Sequence, residues 1–203
     1  MKRGSGLLKV FLYLFFIMAF AGCGGRRVER LESDFEIDLS GRWSATDSRM
    51  VAEALVEQVL DEGWYRDFKR SRLRNPSVIV GRMRNRTYEH INVYTFIKDI
   101  ERYMLNSGEI DLVASADERE RIREERADMQ RWASVETAQE FGREQGADFV
   151  LTGVLNSIID EEGGERVVYY QVDLNLVDIE SNRIVWTGQK KIKKYIRRPL
   201  FTF

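Results

Sequence analysis

Glu165-Arg-Val-Val-Tyr-Tyr-Gln-Val-Asp-Leu-Asn-Leu-Val-Asp-Ile179 alternates through its middle. Val168, Tyr170, Val172, Leu174 and Leu176 fall on one side of an extended chain, and Tyr169, Gln171, Asp173 and Asn175 on the other. A period of two built from β-branched and aromatic residues predicts a strand with one packed face and one polar face. Turn residues bound it on both sides: Glu161-Glu162-Gly163-Gly164 before it and Glu180-Ser181-Asn182 after it. Asp148 to Ile159 and Arg183 to Tyr195 complete the pattern. The C-terminal third therefore reads as three strands joined by hairpins into an antiparallel meander.

Upstream of the meander the period changes. Val51, Leu55 and Val59 recur at helical spacing within Asp47 to Glu62, a helix that Thr46 or Asp47 can cap and Gly63 can end. Pro76 to Gly81 holds Val78-Ile79-Val80, the short apolar run of a buried strand. Asn85 to Asn92 reads as a polar loop. Val93 to Asn106 is a second helix with Phe96, Ile100 and Met104 on one face, ending at Ser107-Gly108. Ile110 to Ala114 reads as another strand, Asp117 to Arg131 as a highly charged helix, and Ser134 to Gln145 as a last helix capped by Ser134 and stopped by Gly146. Two strands each followed by helix, then a meander, predict an α/β fold: a mixed sheet of about five strands with helices packed on it.

The N-terminus has a different character. Lys2, Arg3 and Lys9 precede Val10 to Ala21, an uncharged apolar run. That run suits a secretory signal and falls short of the roughly 20 apolar residues of a spanning helix. Phe20-Ala21-Gly22-Cys23 resembles the lipobox of bacterial lipoproteins, with Phe20 where Leu is usual. Residues 1–22 are thus expected to be a signal peptide, and Cys23 the lipidated first residue of the mature chain. Residues 23–40 would form a polar tether reaching at most ~60 Å, and residues 41–203 the folded domain. Cleavage removes three basic residues and no acidic ones, leaving 29 basic against 33 acidic, a net charge near −4. That balance and export both speak against nucleic-acid binding. Cys23 is the only cysteine, so its acylation leaves no thiol for a disulfide or for catalysis.

Groups that could carry chemistry are sparse. His90 is the single histidine, there is no Gly-x-Ser-x-Gly elbow, and zinc has too few ligands. No Walker or Gly-x-Gly-x-x-Gly pattern supports a nucleotide. The expectation is a binding protein with no cofactor and no catalytic residues. Arg82, Arg84 and Arg86 sit in the loop expected after the first strand, either as part of a self-bonded turn with Asn85 and Thr87 or as a binding position. The last strand carries Lys190, Lys191, Lys193, Lys194, Arg197 and Arg198. These either guard an edge strand against aggregation or form a basic strip for an acidic partner, lipid headgroups or the cell wall. Lys191 and Lys193, with the three arginines, are the candidate partner-binding residues. Asp117 to Arg131 has six acidic and five basic residues in fifteen, which reads as a solvated helix or a docking helix.

Several segments, taken in order, are similar to one family. They are Ser77-Val-Ile-Val-Gly-Arg-Met-Arg-Asn-Arg-Thr-Tyr-Glu-His-Ile-Asn92, Asn106-Ser-Gly108, Gly146-Ala-Asp-Phe-Val-Leu-Thr-Gly153 and Val177-Asp-Ile-Glu-Ser-Asn-Arg-Ile-Val-Trp-Thr-Gly188. With a lipobox ahead of them, they resemble the LpoB-type lipoproteins, activators of penicillin-binding proteins. The resemblance implies a fold similar to the N-terminal domain of TolB. It further implies a non-catalytic regulator on the periplasmic side of the outer membrane, held there by its lipid. The implied partner is a class A penicillin-binding protein, a bifunctional peptidoglycan synthase. Family members have a long Pro-rich tether, and this chain's is far shorter. The alternative is a structural or assembly lipoprotein of an envelope complex that uses the same fold.

Overall fold

A computed structural model describes residues 30, 32, 40–132 and 146–197, with side chains up to 126 in the charged helix. Two compact units are separable, Met1–Phe35 and Glu36–Phe203, and the fold belongs to the second. Among the described residues no helix is long and apolar enough to cross a membrane.

The first helix, α1 (Ala45–Asp61), begins two residues earlier than its apolar period suggests. Ser44 is the cap. Its hydroxyl accepts from the Asp47 amide at 3.2 Å, while the Asp47 carboxylate accepts from the Ser44 amide at 2.8 Å. Asp47 is thus the reciprocal partner of a capping box, not the cap itself. Val51, Ala52, Leu55, Val56 and Val59 are buried along one stripe.

Gly63 does not end the helical region; it opens a second helix, α2 (Gly63–Arg72), after an extended Glu62. Trp64 and Phe68 meet Phe149 edge-on at 5.1 and 5.4 Å between ring centroids, which docks this short basic helix. Leu73 closes it in the left-handed region at φ 52°. Arg74 then forks onto Asp148 at 2.8 and 2.7 Å, and the same carboxylate accepts from the Ser77 amide at 2.8 Å. Burial alone would raise the Asp148 pKa, but Arg74 and Ser77 outweigh it and hold the carboxyl below its usual range. This contact pins the starts of β1 (Ser77–Arg86) and β3 (Phe149–Glu162) together.

Between β1 and β3 run α3 (Val93–Ser107), β2 (Asp111–Leu112) and α4 (Ala116–Trp132). Asn92 caps α3 by accepting from the Tyr94 amide at 3.1 Å, and Phe96, Ile100 and Met104 are buried as their spacing predicts. β2 shrinks to two paired residues, although Ile110 before it is buried. The helix expected over Ser134 to Gln145 lies outside the described residues.

β3, β4 (Glu165–Asp178) and β5 (Ile184–Arg197) form the expected meander. Gly163 and Gly164 both have positive φ, at 58° and 85°, as a two-residue hairpin of the favoured twist requires. The sheet order is β2-β1-β3-β4-β5, parallel across β2, β1 and β3 and antiparallel from β3 to β5. The inward side chains Val168, Tyr170, Val172, Leu174 and Leu176 form one buried cluster with the apolar stripes of α1 and α3. The mixed five-stranded α/β fold expected from the sequence is the one observed.

Candidate docking surface

The three arginines are not in a loop. β1 runs on to Arg86, and its register against β3 slips between Val80 and Met83. This bulge reverses which positions face the helices. Val78 and Val80 are buried before it and Met83 after it, so Arg82, Arg84 and Arg86 all point to the other face and are exposed. The self-bonded turn lies just beyond. There Asn85 accepts from the Thr87 amide and hydroxyl at 2.9 and 2.7 Å and donates to the Glu89 carbonyl at 2.8 Å. The arginines take no part in it.

The lysine strip of β5 divides by the same alternation. Lys191 and Lys193 are exposed on the face shared with the arginines, whereas Lys190 and Lys194 point toward the helix layer. The Lys194 ammonium lies 2.5 Å from the Asp47 carboxylate, both nearly inaccessible, and also donates to the Arg42 carbonyl at 3.1 Å. Arg197 pairs with Glu165 on the neighbouring strand at 2.8 Å. Arg198 and Cys23 lie outside the described residues.

Strand register fixes the layout of the outer face. Arg86 stands level with Asn156, Gln171 and Lys191; Arg84 with Val154, Asp173 and Gln189; Ile158 with Tyr169 and Lys193. At ~4.8 Å per strand, the Arg86 and Lys191 backbones are ~14 Å apart. None of Arg82, Arg84, Arg86, Lys191 and Lys193 makes an ion pair among the described residues. The carboxylate of Asp173 lies among them, accepting from Gln171 at 2.9 Å and Gln189 at 2.7 Å. Ile158 and Tyr195 are exposed on this face as well. The period-two alternation of β3 and β5 is the sequence signal that groups them with the cations.

On the helix side a groove of about 540 Å³ lies between the N-termini of α1 and α3, the Tyr88–Asn92 loop, Ile159 and Arg166. Its carboxylates are already used. Glu89 accepts from the Tyr170 hydroxyl at 2.7 Å and from the Trp43 amide at 3.1 Å. Burial, and Glu89 beside it, raise the Tyr170 pKa and keep that hydroxyl protonated. Asp99 accepts from Ser48 at 2.8 Å and Arg102 at 2.7 Å. The Trp43 ring packs edge-on against Tyr170 at 5.6 Å. These bonds clamp the segment leading into α1 onto the core. His90 is exposed on the rim of this groove. Among the described residues no group of three or more His, Cys, Asp or Glu side chains could hold a metal ion. What the geometry offers is a charged surface for contact.

Comparison with solved structures finds the LpoB C-terminal domain from Escherichia coli at 16% identity and TM-score 0.43, covering 73% of this chain and 99% of that one. The LpoB C-terminal domain from Salmonella enterica matches at 17% identity and TM-score 0.41, covering 75% and 99%. Lipoprotein GNA1162 from Neisseria meningitidis matches at 16% identity and TM-score 0.40, covering 59% and 83%. No curated protein matches. The family model for the peptidoglycan-synthase activator LpoB matches residues 47–192, from the first turn of α1 into β5. With most of the chain inside that match, this protein belongs to the LpoB family of peptidoglycan-synthase activators.

Proposed function

We propose that the chain is a lipid-anchored regulator that binds a class A penicillin-binding protein and stimulates its synthesis of peptidoglycan. The observation that carries this reading is the family match across residues 47–192. The sequence Phe20-Ala21-Gly22-Cys23 supports an anchor at Cys23, on the periplasmic side of the outer membrane. A protein of this kind acts without making or breaking bonds. It stimulates an enzyme by binding the active conformation more tightly than the resting one, and a tenfold shift needs only ~1.4 kcal/mol of difference.

The test uses the full acylated chain and a purified class A synthase from the same organism. Co-sedimentation in detergent should show a complex, and glycan polymerisation from lipid-linked precursor should accelerate at saturating regulator. No complex and no rate change with any class A synthase of that organism would refute the reading. Fractionation of inner from outer membrane tests the location of the anchor.

A further inference from the structure

The whole chain has more acidic than basic residues, yet its outer sheet face concentrates five cations that no carboxylate pairs among the described residues. Like charges on one face repel one another, and the fold gains no ion pair from them. Edge protection accounts for only part of the lysine strip. Lys190 and Lys194 already turn charge inward on the edge strand, which is one of the devices that discourage edge pairing. Lys191 and Lys193 face away from the core, level with Gln171 and Tyr169 on the next strand.

We infer that this face, from Arg84 and Arg86 on β1 to Lys191 and Lys193 on β5, docks an acidic protein surface. Charge complementarity specifies the sign of the partner. Shape selects a protein over a bilayer. Adjacent strands rotate by roughly 20–25°, so the two basic rows, three strands apart, are turned by about 60–75° relative to each other. A flat headgroup plane meets one row, and a curved acidic surface can follow both. Asn156 between the rows offers an amide donor and acceptor, and exposed Ile158 and Tyr195 offer the apolar anchors on which protein contacts depend. The proposal depends on the functional reading for the partner's identity, but not for the docking face or its chemistry.

The experiment has two arms. In the first, the full acylated chain in neutral detergent is passed over immobilised poly-L-glutamate and, separately, sedimented with phosphatidylglycerol vesicles. Three proteins are compared: wild type, R86E/K193E, and R70E/R72E, which makes the same charge change on α2, away from the face. Wild type and R70E/R72E should be retained on polyglutamate at low salt and released by about 0.3 M salt, and R86E/K193E should pass through. In the second arm, association with the class A synthase should slow tenfold or more for R86E/K193E at low salt, with the gap closing at high salt. R86Q/K193Q, which only neutralises the charges, should give an intermediate slowing and guards against a folding defect. Equal retention of the two charge reversals, or no retention of wild type, would overturn the docking face. Retention by vesicles without retention on polyglutamate would overturn the protein partner. Failure of wild type to bind any synthase, with polyglutamate retention intact, would refute the functional reading and leave the docking face standing.

Discussion

The Lys194 ammonium sits 2.5 Å from the Asp47 carboxylate in a site nearly closed to water, and Asp47 also completes the cap of α1. Removing one partner of such a pair strands a charge, whereas removing both does not. Asp47→Ala should therefore cost about 3–5 kcal/mol, because it loses both the cap and the ion pair with Lys194. Lys194→Met should cost less, since Asp47 keeps its bonds from Ser44. The double variant should be less destabilised than the sum of the singles, as measured by urea unfolding in a double-mutant cycle. None of this was legible in the sequence. Lys190, Lys191, Lys193 and Lys194 are chemically alike, and only the parity of the strand and a partner 147 residues away separate them. His90 is exposed at the rim of the groove, so His90→Ala should change stability by no more than about 0.5 kcal/mol and leave synthase activation within a few-fold. An activation loss beyond tenfold with an unchanged melting curve would make the Tyr88–Asn92 loop part of the site.

Among the elements, those with a sustained period were easiest to read. α3 and the three strands of the meander lie where their spacing places them, because burial on one face imposes that spacing directly. Elements set by a few long-range contacts were not readable. α2 buries only Tyr65 outright and depends on Trp64 and Phe68 meeting Phe149, a residue in a distant strand. The bulge after Val80 turned an expected loop into strand. Gly81 permits it, since a Cβ there would stand 2.7 Å from the Val150 side chain. The charged helix α4 is joined to α3 through Lys98, whose ammonium reaches Glu118 at 2.8 Å and Glu101 at 2.7 Å. Lys98, and then the Ser115 amide and hydroxyl, hold the Glu118 carboxyl well below its ordinary 4.5, at about 2. The folded value lies below the unfolded one, so this contact stabilises fully above pH 4.5 and loses its contribution as pH falls toward 2. The Glu118 carboxyl carbon, followed by NMR, should titrate near the lower value. Lys98→Met should return it most of the way to the ordinary range, and an unmoved midpoint would mean that Ser115 alone sets it.

For the molecule as a whole, the polarity of the fold governs what a tether at its N-terminus could do. One face of the sheet is closed by α1 and α3, and the segment before α1 is clamped to the core by Glu89, Trp43 and Lys194. Tension on an N-terminal anchor would therefore be borne by α1 and the core and leave the outer face undistorted. If Cys23 carries the lipid, residues 24–39 allow the domain to search within about 60 Å of the membrane at most, and the local concentration of docking face depends on that length. Removing ten of those residues should leave affinity for the synthase in solution unchanged, because the docking residues lie beyond Ser40. In cells the same deletion should abolish rescue of a strain lacking the regulator. Inserting about thirty Gly/Ser residues should lower effective concentration only about fivefold, since the dependence falls roughly as the −3/2 power of length. The long tether should therefore be tolerated and the short one should not. If the shortened chain rescues fully, the partner's acidic surface lies much nearer the membrane than the tether can reach, and tether length is then not what selects the partner.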